Sequence, residues 1–176
     1  MPLPYARSVP EAHLYMELHP CECGESGSTG YRHASIQTDQ GLASEHSFGC
    51  VGCGRQRRFV FRMPALAPQH ADRYGGPEPS QIIDAGEWRM ISLAYMGELD
   101  RVRARPDELR NTLKEALAAY QELLKFIPAD QERMPDSAFF TERGRRIRVG
   151  EPPNSFSRHF LEAMVDGVRR DLAAVR

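Results

Sequence analysis

The chain has 176 residues, of which 41% are hydrophobic and 27% are charged, and its formal net charge at pH 7 is −1. This composition is typical of a soluble globular protein, and the near-neutral charge argues against a dedicated nucleic-acid-binding protein. No run approaches the roughly 18 apolar residues of a membrane-spanning helix, and no signal-peptide pattern opens the sequence. We therefore expect a cytoplasmic location and no contact with a membrane.

The first predicted element is an N-terminal helix or extended arm within residues 1–20. Ser8 is a suitable N-cap, and Glu11 follows it at capping-box spacing. Pro10 falls in the first turn, where its missing N–H costs little. Pro20 ends the element immediately before the first cysteine.

Residues 21–64 predict three antiparallel strands. The runs YRHASIQTD, LASEHSFG and RQRRFVFRM are short, and residues that favour turns separate them. In the third run Phe59 and Phe61 alternate with Arg58 and Arg62, which is the period of a half-buried strand.

A linker over residues 65–79 and a helical domain over residues 80–176 complete the predicted organisation. The linker is rich in proline, glycine and polar residues and shows no periodic apolar pattern. The helical domain opens with Asp84 and Glu87 at capping-box spacing and carries about four helices, one of them a short helix that ends near Gly144. The predicted fold class is therefore α+β, a three-stranded antiparallel sheet followed by a helical bundle.

The cysteines form two close pairs, each followed directly by glycine: Cys21 with Cys23, and Cys50 with Cys53. A Zn²⁺ ion takes four thiolates tetrahedrally at about 2.3 Å, so paired sulfurs must approach closely while the backbone turns around the metal. Glycine permits that turn without a Cβ clash. The sequence therefore predicts one structural Zn²⁺ per chain, bound by these four cysteines.

The segment 21–64 resembles a zinc ribbon, because CVGCG is similar to the usual knuckle of that family and CECG is one residue shorter. Zinc ribbons occur in nucleic-acid-binding, protein-binding and structural settings. Iron in the same sulfur cage is one alternative. A redox dithiol at Cys50 and Cys53 is another, but it leaves Cys21 and Cys23 unexplained.

The histidines near the cysteines have a simpler interpretation than metal ligation. With four thiols available, we expect His19, His33 and His46 to be surface or hydrogen-bonded side chains. His13 and Glu17 lie one helical turn apart, which we interpret as a solvated helix face.

Arginine and phenylalanine side chains interleave after the last cysteine, at Arg55, Arg57, Phe59 and Phe61. This mixture suits phosphate contact and base stacking, so the four residues are candidates for contact with a nucleic acid or another partner. The interpretation we favour places the phenylalanines in a core and the arginines in solvent or beside acids.

The sequence lacks a glycine-rich phosphate loop, a nucleophile elbow and the His-Glu-x-x-His pattern of metalloproteases. We therefore expect a non-catalytic zinc-binding protein that acts as a protein-protein binding module, in an accessory or inhibitor role, with a protein partner still to be identified. A nucleic-acid-binding zinc ribbon is the alternative hypothesis. An enzyme with a site between the ribbon and the helices is the third.

Overall fold

The computed structural model of the protein describes residues 2–64 and 73–175. It confirms the α+β class: a helix and a three-stranded antiparallel sheet precede a region of four helices. The elements are α1 (Val9–Leu18), β1 (Ser28–Thr38), β2 (Gly41–Cys50), β3 (Gln56–Arg62), α2 (Ala85–Val102), α3 (Pro106–Lys125), α4 (Glu142–Gly150) and α5 (Arg158–Ala174). None of the described helices is long and apolar enough to cross a membrane.

The chain divides into two compact units, which we call the sheet unit and the helical unit. The sheet unit holds α1 and the three strands, and the helical unit holds α2 to α5. The predicted linker falls partly outside the described residues, at positions 65–72. Its described remainder includes Tyr74, which is buried and whose carbonyl accepts a hydrogen bond from the Ser8 hydroxyl at 2.9 Å.

Helix α1 begins as the sequence predicts, because the Ser8 hydroxyl accepts a hydrogen bond from the Glu11 N–H at 3.1 Å. The Glu11 carboxylate is fully buried and pairs with the guanidinium of Arg7 at 2.6 Å. It also accepts a hydrogen bond from the backbone N–H of Arg7. A buried charge is tolerated here because it is both paired and hydrogen-bonded.

The sheet has the strand order β1-β2-β3, and His33, His46 and Phe59 lie opposite one another across the three strands. Directly opposed residues share one face of a sheet, and the face alternates along each strand. We call the face that carries these three residues the inner face. Phe61 lies on it and is fully buried, as expected for a half-buried third strand.

The two edges of the sheet differ. At β3 the N-terminal segment pairs with the last residue of the strand: the Ala6 N–H donates to the Arg62 carbonyl at 3.0 Å, and the Arg62 N–H donates to the Pro4 carbonyl at 2.8 Å. At β1 no other strand within the described ranges pairs with the outer side. The 11 residues of β1 are exposed, apart from Ile36 and Thr38, which are half-buried.

In the helical unit, α2 starts with the predicted capping box between Asp84 and Glu87. The prediction that the short helix ends near Gly144 is wrong, because α4 begins at Glu142 and Gly144 lies in its first turn. The glycine is needed for a close approach and not for a helix end. A Cβ at Gly144 would lie 2.0 Å from the carboxylate of Asp84, and one at Gly86 would lie 2.4 Å from the Gly144 carbonyl oxygen.

Candidate metal centre

The first cysteine pair lies in a tight turn between α1 and β1. The Cys21 N–H donates to the Glu25 carbonyl at 2.9 Å, and the Gly24 N–H donates to the Cys21 carbonyl at 2.7 Å. Gly24 has φ = +87°, in the left-handed region that a residue with a Cβ rarely adopts. The glycine therefore permits the turn that brings Cys23 back towards Cys21.

The second pair makes the corresponding turn between β2 and β3. The Cys50 N–H donates to the Arg55 carbonyl and the Gly54 N–H donates to the Cys50 carbonyl, both at 2.9 Å. Gly54 has φ = +72°. The first turn thus forms the same two hydrogen bonds as the second with one residue fewer between its cysteines. This equivalence explains how a Cys-x-Cys pair takes the place of a Cys-x-x-Cys pair.

The two turns bring all four sulfur atoms together. The Sγ atoms of Cys21 and Cys53 are 3.6 Å apart, those of Cys23 and Cys50 are 3.5 Å apart, and all four lie within 4.8 Å of one another. Four ligands at the Zn–S distance in a tetrahedron would be separated by about 3.8 Å. The four sulfurs could therefore hold one metal ion. Beside a three-stranded antiparallel sheet, this arrangement is consistent with a zinc-ribbon-like module.

The electrostatics of the cluster also favour a cation. A hydrogen bond from the backbone of Cys53 lowers the pKa of Cys50 to about 7. For Cys23 a backbone hydrogen bond at Glu25 lowers the pKa, but hydrogen bonds with the Cys50 and Cys53 thiols outweigh it and raise the pKa to about 12. Neighbouring thiolates repel one another, so without a cation the cluster retains protons. A divalent ion would supply the charge that lets all four sulfurs ionise.

The histidines predicted to be outside the metal cluster lie elsewhere in the structure, and the cluster contains only cysteines among the described residues. The ring of His19 stacks on Tyr15 with centroids 4.0 Å apart, and its Nδ1 lies 2.7 Å from the Tyr15 carbonyl oxygen. His33 and His46 lie on the inner face of the sheet.

The interleaved arginines and phenylalanines make contacts within the chain. Arg55 forms an ion pair with Glu22. Arg57 donates a hydrogen bond to the His19 carbonyl, and its guanidinium lies 5.0 Å from the centroid of the Phe59 ring. Arg55 thus lies beside an acid, whereas Arg57 packs on the ring of Phe59, which is only half-buried.

The sequence does not reveal a second polar cluster, on the inner face and away from the cysteines. His13 Nε2 lies 2.9 Å from the Tyr31 hydroxyl, so His13 does not simply lie on a solvated helix face. Tyr31, His33, Ser44 and His46 complete the cluster. The sequence shows the period of two within each strand, which places Tyr31 with His33 and Ser44 with His46. It does not show the register in which the two strands pair.

Comparison with models of known protein families, with curated proteins and with solved structures finds no match to this chain. The residues and their geometry are therefore the basis for a functional proposal.

Proposed function

We propose that the chain is a non-catalytic protein-binding module, stabilised by one structural Zn²⁺ ion, and that the outer edge of β1 is its docking site. The observation that carries this proposal is the exposure of β1 along a sheet edge that no other described strand covers. The sheet and its four cysteines support assignment of this region as a zinc ribbon.

The metal would act as a structural element. A small sheet unit buries little apolar surface, and such units often need a metal for stability. Zinc in small structural sites is worth roughly 10–16 kcal/mol, comparable with the roughly 5–15 kcal/mol that stabilises whole domains. Four sulfur ligands leave no open coordination position for water, so the ion would hold the two turns together and would not act in catalysis.

An edge strand presents a row of backbone N–H and C=O groups with which another extended chain can pair. Proteins usually protect such edges with proline, lysine or a covering segment. β1 contains neither proline nor lysine, whereas on the opposite edge of the sheet the N-terminal segment pairs with Arg62 at the end of β3. A bulge interrupts the register between Thr29 and Arg32, so the regular part of the docking edge runs from Arg32 to Thr38.

The charge of β1 indicates what would bind. The strand carries Arg32 and His33 and no acidic residue. Arg32 forms no ion pair with any residue in the described part of the chain. An extended segment with acidic side chains would complement this edge, whereas a second copy of β1 would bring two such arginines together with no acid to offset them.

Contacts of the arginines argue against the nucleic-acid alternative. Arg55 and Arg58 are paired with Glu22 and Glu45 respectively. Arg57 is committed to a backbone carbonyl and to aromatic rings. Phosphate binding would have to displace these contacts, in a chain whose net charge is only −1.

The test begins with two separate variants that each carry one photo-crosslinking residue. One variant replaces Gln37 in the exposed edge strand, and the control variant replaces Lys114 on α3 in the helical unit. We expect a discrete protein adduct from position 37 and none from position 114. Adducts from both positions, or from neither, would contradict docking at β1. An adduct of twice the mass of this chain would instead identify a second copy as the occupant.

The captured protein is then purified and its affinity measured with two charge-reversed variants. Arg32→Glu should weaken binding about tenfold or more, because a like charge would face the acidic segment. Arg103→Glu, an exposed change near the end of α2, should leave the affinity unchanged. Equal affinity for both variants would contradict the acidic partner, and steep weakening of a bound nucleic acid with salt would favour the alternative function.

A further inference from the structure

The helical unit contains a cavity of about 300 Å³ where the end of α4 meets two short segments of chain. One segment includes Met134 and Phe139, and the other is the single helical turn Pro153–Phe156. The volume lies at the lower end of the range of pockets that bind small molecules. The metal centre and β1 belong to the sheet unit, so this cavity is separate from both.

Backbone contacts join the two segments that form the cavity. The Met134 N–H donates to the Phe156 carbonyl at 3.1 Å, and Arg133 forms an antiparallel bridge with Ser157. The walls are therefore held by the main chain and do not depend on side-chain contacts alone. A preformed cavity of this kind is typical of sites for small molecules.

The lining of the cavity is partly apolar. Met134, Phe139 and Phe156 line it and are buried. The rings of Phe139 and Phe156 meet edge to face, with centroids 4.9 Å apart. A space of this size bounded by aromatic and aliphatic side chains favours an occupant with an apolar part.

Two arginines give the cavity positive charge. Arg133 lines the cavity, is exposed, and forms no ion pair with any residue in the ranges 2–64 and 73–175. Arg148 also lines it, with its guanidinium carbon 4.8 Å from the centroid of the Phe139 ring. Arg148 pairs with Asp136 at 2.6 Å, but the Asp136 side chain is 88% exposed. Such an exposed ion pair contributes little, so an incoming anion can replace Asp136.

An acidic side chain that lines the same cavity, Glu151, is already matched by a cation. Its carboxylate accepts a hydrogen bond from Arg89 Nε at 2.9 Å, and Arg89 Nη2 lies 2.8 Å from the same oxygen. Arg89 is buried, so this pair is not an exposed one. Glu151 therefore does not neutralise Arg133 or Arg148, and the cavity would complement an anion.

We propose that the cavity binds a carboxylate carried on one apolar group, with the carboxylate on Arg133 and Arg148 and the apolar group on Phe139 and Phe156. A guanidinium presents parallel N–H donors that match a carboxylate. A closed cavity of about 150 Å³ is large enough for benzene. The 300 Å³ available here therefore accommodates one aromatic ring with a short acidic chain.

The test uses phenylacetate as the probe and follows the methyl NMR signal of Met134 in the zinc-loaded full chain at pH 7. We expect a saturable shift with a Kd of about 1 mM or lower, as a ligand of this size can reach. Phenylacetamide has the same ring without the charge and should bind about tenfold more weakly. Equal affinity for the acid and the amide, or no saturable shift with the acid, would overturn the proposal.

Three variants separate the cavity from general attraction of anions. Arg133→Gln should weaken phenylacetate binding about tenfold, because it removes a charged donor at an exposed position. Arg146→Gln is the matched control, since it removes the same charge from an exposed position of α4 outside the cavity lining. Val149 lines the cavity and is 87% exposed, so Val149→Glu would place a competing carboxylate there and should also weaken binding. Equal effects of Arg133→Gln and Arg146→Gln, or undiminished binding to Val149→Glu, would contradict the site.

The same chemistry is available from a free carboxylic acid or from the C-terminal residue of another protein. N-acetylglycylphenylalanine presents an aromatic residue and a carboxylate at the end of a peptide. Tighter binding of this peptide than of phenylacetate would identify a protein C-terminus as the source, and binding no tighter would identify a free acid. Either result supports the site when Arg133→Gln weakens it. None of these measurements involves β1, so they are independent of docking there.

Discussion

Two of the buried carboxylates, those of Glu11 and Glu87, lie in different electrostatic settings. Glu11 is fully buried and is matched by Arg7, which also supplies a backbone N–H. Glu87 is almost fully buried in the helical unit, and this burial raises its pKa. A hydrogen bond from the Asp84 backbone N–H opposes this rise, whereas the negative charge of Asp84 adds to it. Arg143, with a guanidinium nitrogen 3.6 Å from a Glu87 carboxylate oxygen, also opposes the rise.

The raised pKa of Glu87 makes a prediction about stability and pH. In the interval above the ordinary value of 4.5, the folded state binds more of this proton than the unfolded state does. The contribution of Glu87 to the stability of the helical unit should therefore fall as pH rises through that interval. Glu87→Gln retains the capping-box acceptor and removes the titration, so it should be more stable than wild type at pH 7.

Urea unfolding at pH 4 and pH 7 checks this prediction, with Glu98→Gln on the exposed side of the same helix as the control. The advantage of Glu87→Gln should shrink at the lower pH, whereas Glu98→Gln should show little change at either. A Glu87→Gln variant that is less stable than wild type at pH 7 would show that the charge of Glu87 is needed, through Arg143.

The turn glycines and the helix caps were predictable because each depends on residues only a few positions away in the sequence. The glycines after each cysteine pair adopt the positive φ that the turn requires, and Ser8 and Asp84 cap their helices as expected. The polar cluster of His13, Tyr31, His33, Ser44 and His46 on the inner face was not predictable in the same way. It depends on the register that places His33 opposite His46, and a shift of one residue would move one of them to the other face.

At the scale of elements, the crossing of α2 and α4 depends on two glycines and one carboxylate. Asp84 caps α2, and its other oxygen accepts hydrogen bonds from the N–H and the hydroxyl of Thr141, both at 2.8 Å. One carboxylate thus fixes the starts of both helices. Gly86 and Gly144 leave the space that this arrangement needs.

Gly144→Ala should therefore destabilise the helical unit by about 2 kcal/mol or more, because its Cβ would clash with the buried Asp84 carboxylate. The matched control is Gly97→Ala in the interior of α2, where nothing lies within 4 Å of an added Cβ. That change should stabilise the helix by about 0.5–1 kcal/mol. Urea unfolding measures both effects. A Gly144→Ala variant that is stabilised, or a Gly97→Ala variant that is destabilised, would contradict this description of the crossing.

The same crossing explains why the end of α4 was predicted incorrectly. A glycine in a polar stretch favours a helix end when only neighbouring residues are considered. Here the reason for the glycine is Asp84, 60 positions earlier in the sequence. A contact between residues so far apart in the sequence produces no pattern among neighbouring residues.

At the scale of the whole molecule, the two units should respond differently to removal of metal. The four cysteines all belong to the sheet unit, and the helical unit has its own buried residues, including Trp88, Leu113 and Leu161. A chelator should therefore unfold the sheet unit and leave most of the helical circular dichroism. Amide exchange should show loss of protection in β1 to β3 with α2, α3 and α5 still protected.

Loss of protection throughout the chain on chelation would contradict this independence and would show that the units fold cooperatively. Zinc returned to the chelated sample should restore protection in the strands. Calcium at the same concentration serves as the control, because a four-thiolate site does not suit an ion that prefers oxygen ligands.

The overall organisation was predictable from the sequence to the level of fold class, because cysteine spacing, strand alternation and helix caps are all local patterns. The sequence did not predict that β1 is accessible or that the N-terminal segment pairs with the end of β3. Both depend on which segments pair at a distance, as in the bridge between Tyr5 and Arg62.

Metal content of the purified full chain, measured by native mass spectrometry together with elemental analysis, is the direct test of the four-cysteine site. Wild type and His19→Gln should each carry one Zn²⁺ per chain, because the ligands are Cys21, Cys23, Cys50 and Cys53 and not the neighbouring histidine. Cys50→Ser should lose the ion or bind it far more weakly. A wild-type chain without stoichiometric metal, or a Cys50→Ser chain that retains its zinc undiminished, would contradict the four-cysteine site.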